Sequence, residues 1–168
     1  MTPKMEEALN KQLNAELYSA YMYLSMTAWF ESRNLPGFAA WMRAQVVEEV
    51  EHAMKFYSFI NERGGRVKLT QIDGPPTEWG SPLEVFEAAF KHEQFVTKLI
   101  NDLMELSLEE RDHACQIFLQ WFVTEQVEEE ATFGSILERL RMIGDQTGPL
   151  FMMDRELGQR TAPALAQG

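Results

Sequence analysis

The sequence predicts an all-α fold: a four-helix bundle with one long crossover and a short fifth helix near its C-terminal end. Three observations predict it. Four long segments repeat apolar residues at steps of three and four, the period of a helix buried along one face. Helix-end chemistry bounds these segments, at Thr2-Pro3, Gly64-Gly65, Ser81-Pro82 and Gly144. One connection, 64–81, holds Gly74-Pro75-Pro76 and no helical period; at that length it fits a chain crossing from one end of a bundle to the other.

In order, the first helix is expected over about 3–33. Thr2 caps it, Pro3 takes the first helical position, and Glu6 and Glu7 favour the positive end of its dipole. Its seam reads Leu9, Leu13, Glu16, Ala20, Tyr23, Thr27, Phe30. Asn34-Leu35-Pro36-Gly37 is a helix–helix turn. The second helix, about 36–63, has the seam Phe38, Met42, Gln45, Glu49, His52, Phe56, Phe59. The third, about 82–106, reads Leu83, Phe86, Phe90, Glu93, Thr97, Ile100, Met104. A break near Leu106 to Glu109, with Ser107 as cap and Glu110 three residues on, opens the fourth helix over about 108–143. Its seam is Cys115, Leu119, Phe122, Gln126, Glu129, Phe133, Ile136, Leu140, Ile143. A fifth helix is expected over about 148–158, then a frayed tail over 159–168.

The 168 residues suit a single domain, 1–168, with a full core. A net charge of −11 points to cations or basic surfaces as partners and away from nucleic acid. Cys115 is the only cysteine, so neither a disulfide framework nor a thiolate cluster is available. No stretch approaches the ~18 apolar residues of a membrane span. The first residues lack the apolar core of a signal peptide, and a soluble cytoplasmic protein is expected.

Each seam is apolar at both ends and polar in the middle. With a hairpin turning near Asn34, Glu16 lies 18 residues before the turn, Glu49 15 after and His52 18 after. With the second turning near Glu109, Glu93 lies 16 before, Gln126 17 after and Glu129 20 after. At ~1.5 Å per residue these offsets bring each pair to within about one turn of the same height. Carboxylates in an apolar seam need compensating charge, and no Lys or Arg occupies the middle of these seams. Two divalent cations balance Glu16, Glu49, Glu93 and Glu129. Glu49-x-x-His52 is a metal-binding spacing on one helical face, and Glu49 is placed to bridge two ions. Mostly carboxylate ligands with one imidazole suit Fe, Mn or Zn. Tyr23, one or two turns from Glu16, is either a core tyrosine or a redox group.

Four motifs carry a resemblance: Asn14-Ala15-Glu16-Leu17-Tyr18, Glu48-Glu49-Val50-Glu51-His52, His92-Glu93-Gln94, and the run Trp121 to Glu130. With them the chain resembles a ferritin of the haem-free prokaryotic type over about residues 2–158. The resemblance implies that Glu16, Glu49 and His52 hold a first iron. It implies that Glu49, Glu93 and Glu129 hold a second, with Gln126 alongside. It further implies a looser third iron site at Glu48, Glu125, Glu128 and Glu129, nearer a storage cavity. The implied activity is ferroxidase: Fe(II) is oxidised by O2 or peroxide and ferric mineral is stored in a homo-oligomeric shell, usually of 24 subunits. Haem is not expected, because Val50 stands where bacterioferritins carry a haem-binding methionine. Gln126-x-x-Glu129 also replaces the second Glu-x-x-His of bacterioferritins and rubrerythrins. The alternative is a rubrerythrin-like di-iron peroxidase or oxygenase acting on an external substrate. A DNA-protecting mini-ferritin is disfavoured, since those proteins place their metal between subunits.

Overall fold

Local chemistry sets where each helix begins and ends. The computed structural model describes residues 1–160, so positions 161–168 of the expected tail lie outside the described residues. Among the described residues there are five helices: α1 Pro3–Ser32, α2 Pro36–Glu62, α3 Pro82–Glu109, α4 His113–Ile143 and α5 Thr147–Leu157. None is long and apolar enough to cross a membrane. Thr2 and Ser81 cap α1 and α3, accepting from the N–H of Met5 and of Glu84, each at 3.2 Å, with proline next in the chain. Asn34, Gly64 and Arg111 adopt left-handed backbone, with φ of 55°, 70° and 53°. After each, an N–H returns to the carbonyl five residues back: Leu35 to Phe30, Gly65 to Ile60, Asp112 to Ser107. These are Schellman closures, and they satisfy helix-end carbonyls that the ladder leaves open.

The junction of α3 and α4 departs from expectation. α3 runs on through Ser107 to Glu109, and α4 starts at His113 rather than near 108. The Ser107 hydroxyl turns back onto the carbonyl of Met104 at 2.6 Å. Asp112 is the cap, accepting from the N–H of Cys115 at 3.0 Å. A carboxylate is the stronger partner for the positive end of a helix, while a buried serine readily bonds within its own turn. Arg63, just past α2, grips Asp112 at 2.9 Å and ties two helix ends together.

α1 and α2 form one antiparallel hairpin, α3 and α4 the other, and α1 lies along α3. The Cα traces of α2 and α4 stay more than 8 Å apart. Aromatic rings fill that gap, with Trp41 against Phe133 at 5.0 Å and Phe56 against Phe122 at 4.4 Å between centroids. The crossover is fastened along α1. The Asn10 amide donates to the carbonyl of Arg66 at 3.1 Å and accepts from the N–H of Lys68 at 2.7 Å. Further along, Asn14 donates to the carbonyl of Gln71 at 3.0 Å and Ser25 to that of Pro76 at 2.6 Å.

The apolar core is two clusters, not one. The first includes Met26, Phe30, Phe38, Phe86 and Phe133; the second includes Leu9, Leu13, Phe56, Ile60 and Leu119. Between them in each seam lie the buried polar residues Glu16, Gln45, Glu49, His52, Glu93, Gln126 and Glu129.

The start of α2 has no cap of its own, since Leu35 precedes Pro36. α5 supplies one from afar: Asp154 Oδ1 accepts from the N–H of Phe38 at 2.9 Å. Gly37 lets α5 approach, because a Cβ there would collide with the backbone carbonyl of Asp154. Arg139 and Glu156 join α4 to α5 through contacts of 3.0 and 2.6 Å. Residues 159 and 160, expected to begin a frayed tail, are instead held. The Arg160 N–H reaches the carbonyl of Leu157 at 3.2 Å, and its guanidinium lies 4.5 Å above the Trp41 ring centroid. Asp154→Ala is expected to cost ~1 kcal/mol or more in thermal or denaturant unfolding, as lost caps do. Gly37→Ala is expected to cost more and to expose 147–157 to hydrogen exchange; unchanged exchange there would contradict this docking.

Candidate metal centre

Glu16 from α1 and Glu49 and His52 from α2 each offer one ligand atom, and these atoms lie within 4.8 Å of one another. All three residues are buried. The three-residue step sets Glu49 and His52 on one face of α2, and Glu16 meets them across the hairpin. His52 Nδ1 stands 3.6 Å from Glu49 Oε2 and 4.0 Å from Glu16 Oε2. Gln12, one turn before Glu16, donates to its Oε1 at 2.8 Å. Glu16 Oε2 is buried with no hydrogen-bond partner among the described residues. Leaving a carboxylate oxygen unpaired in a core is costly. Here it is turned toward an imidazole and a second carboxylate, a donor set that suits a hard or borderline divalent cation.

Glu93 and Glu129 border this triad but do not join it within that distance. Their oxygens are taken by neutral donors. Glu93 accepts from the Tyr23 hydroxyl through Oε1 and from the Gln126 amide through Oε2 at 3.1 Å. Gln126 also reaches the Glu93 carbonyl and the Thr97 hydroxyl, each at 3.3 Å. Glu129 Oε2 accepts from Gln45 Nε2 at 2.8 Å, and the same nitrogen stands 3.4 Å from Glu49 Oε1. Glu125 Oε1 faces the other imidazole nitrogen, 4.0 Å from His52 Nε2. Glu48 is partly buried and paired with Arg160, and Glu128 is exposed.

Burial drives the electrostatics. It pushes Glu16 and Glu49 well above the ordinary carboxylate range, with repulsion from Glu49 adding for the first and from Glu93 and Glu129 for the second. Burial also raises Glu93, against the lowering effect of its bonds from Tyr23 and Gln126. Glu129 is pushed up to about 8 by burial, then by Glu93 and Glu48. Burial and the nearby acids keep Tyr23 a phenol. Glu125 is raised by burial, with Glu128 and Glu48 adding.

Sequence reasoning passed over Gln12 and treated Gln45 only as a seam position. The available signal is an amide four residues before each of Glu16 and Glu49, one turn away on the same face. His92 entered only as part of a motif. It sits behind Glu93, its Nε2 2.7 Å from the Ser19 hydroxyl and its ring edge-on to Tyr23, and burial lowers it to about 4.

The family described as the ferritin-like domain matches residues 6–143. The bacterial non-heme ferritin of Bacteroides fragilis (strain 638R) is 45% identical over 160 residues, covering 95% of this chain and 99% of that one. That of Campylobacter jejuni is 39% identical over 155 residues, covering 92% and 93%. Among solved structures, the open pore ferritin from the hyperthermophilic archaeon Archaeoglobus fulgidus superposes with a TM-score of 0.95 at 53% identity, covering 96% of this chain and 99% of that one.

The raised acids give a pH dependence with a definite sign. Between the ordinary 4.5 and about 8, the folded metal-free protein holds a proton on Glu129 that the unfolded chain has released. Stability from this group is therefore lost as pH rises through that window. Glu129→Gln is expected to flatten that part of the profile, and saturating Zn2+ to remove it. Thermal unfolding of metal-depleted protein at stepped pH measures this; an unaltered slope in Glu129→Gln would refute the assignment.

Proposed function

The chain belongs to the ferritin family of iron-storage proteins, and on that premise we propose that it is a ferroxidase that fills its own store. The observation that carries the reading is the unpartnered Glu16 Oε2, buried beside Glu49 and His52. In this reading Glu16, Glu49 and His52 take the first ferrous ion. Glu49 bridges to a second, held by Glu93 and Glu129 with Gln126 alongside. The whole chain, 1–168, acts as one domain in the cytoplasm and assembles with copies of itself into a shell of 24.

The chemistry follows from the ligands. Each ferrous ion is a cationic substrate that competes with the protons burial favours on these acids. The two ions lose one electron each. O2 takes both with two protons and leaves as hydrogen peroxide, or peroxide takes both with two protons and leaves as water. Hard carboxylate ligands favour the ferric state. Gln12, Gln45, Gln126 and Tyr23 hold the carboxylates in place without adding charge. Glu48, Glu125 and Glu128, with Glu129, take a third ion on its way to the cavity.

Crystals soaked anaerobically in ferrous iron are expected to show two ions about 3.5–4 Å apart among Glu16, Glu49, His52, Glu93 and Glu129. Absence of density there would sink the reading.

His52→Ala is expected to slow the first turnover of ferrous oxidation by about tenfold or more while light scattering still finds the assembled shell. Glu125→Ala is expected to spare that first turnover and change oxygen consumption in later ones. If both variants abolish the first turnover equally, the division between a paired site and a third site is wrong.

A further inference from the structure

Arg160 reaches back from beyond α5 to the rim of the carboxylate layer. Its guanidinium lies over the Trp41 ring, donates to the Glu48 carboxylate through Nη2, and donates to Gln45 Oε1 through Nη1 at 3.0 Å. Both charged side chains are partly buried, at 23% and 27% exposed. Gln45 is fully buried, and its other end donates to Glu129 and approaches Glu49. A guanidinium has donors only, so it fixes which end of the amide turns toward it. The carboxylates on the far side then necessarily meet the N–H end. One cation thus touches Glu48 directly and two central acids through a single amide.

No lysine or arginine sits in the middle of the helix seams, so this charge arrives by a route that seam periodicity does not reveal. Another cation, Lys55, lies 4.3 Å above the Trp121 ring and acts on Glu125.

We propose that Arg160 is the resident counter-ion of the Glu48, Glu125, Glu128 and Glu129 set: it competes with divalent metal for Glu48 and orients Gln45 toward Glu129. The proposal rests on the reading of those four acids as a looser metal site. A divalent ion entering there displaces the guanidinium from Glu48, and the guanidinium returns when the ion leaves. Glu48 is therefore never left unpaired, and the ion is bound more weakly than four carboxylates alone would bind it. That is the behaviour of a transit position.

The test is calorimetric titration of the metal-depleted, assembled protein with Zn2+ alone, in the native chain and in Arg160→Gln, Glu48→Gln and the double variant. Arg160→Gln is expected to tighten the looser binding event by about fivefold, the size of one partly shielded charge pair. It should do so only while Glu48 is present, so the double variant shows no gain over Glu48→Gln. A merely structural Arg160 would lower thermal stability and leave Zn2+ affinity unchanged or weaker, and that result overturns the proposal. If Glu48→Gln still removes the looser event, the third-site reading survives that failure. If no looser event exists in the native chain or in Arg160→Gln, and Glu48→Gln is silent too, the third-site reading and the proposal fall together.

Discussion

Everything in this bundle is arranged around the burial of mutually repelling carboxylates between two apolar clusters. Glu16, Glu49, Glu93 and Glu129 come one from each of the four long helices, and packing on both sides keeps water from them. Desolvation and repulsion disfavour their charged forms, so the layer favours protons on these acids more than water would. Such a layer destabilises the fold that builds it. The same cost is returned when cations enter, because an ion that binds only the folded chain adds its binding free energy to stability.

A costly middle has to be held from the ends. The hairpin turns close with Schellman geometry at Asn34 and Arg111, and Arg63 clasps the cap of α4. The crossover follows α1 from Asn10 to Ser25, held there by side-chain donors of α1 to crossover carbonyls rather than by the polar layer itself. α5 caps α2 through Asp154 and is itself tied to α4. None of these contacts involves a candidate ligand. Rigidity and the candidate metal ligands therefore fall on different residues, and a candidate ligand can be replaced without removing the frame.

The fold was legible because its determinants are local and periodic. Apolar steps of three and four, proline after a cap, and paired glycines after α2 each act within a few residues. The buried polar layer was legible for a related reason: four seams broke to polar residues at one height, and counting from the turns detects that coincidence. What escaped acts across the chain. Asp154 caps a helix 116 positions away, and Arg160 meets Glu48 112 positions away. Neither leaves a periodic trace. The α3–α4 junction escaped because Ser107 and Asp112 both carry capping chemistry, and only the burial of Ser107 against its own turn decides between them. The seams also did not separate the close triad from Glu93 and Glu129, whose oxygens are engaged by side chains one helix over.

The donors that hold these acids are graded by charge from centre to rim. Gln12, Gln45, Gln126 and Tyr23 serve the central carboxylates, and all four are neutral. A neutral donor orients an oxygen while leaving the negative charge uncompensated, so the site keeps its attraction for a cation. A lysine or arginine in their place would settle the charge permanently and compete with metal for the same lone pairs. At the rim the chain does use a cation, Arg160, on the partly exposed Glu48. Water screens that pair, so its hold is weaker than the same pair would have in the core. On the proposed reading, this grading lets one bundle bind cations firmly at its centre and pass them on at its edge.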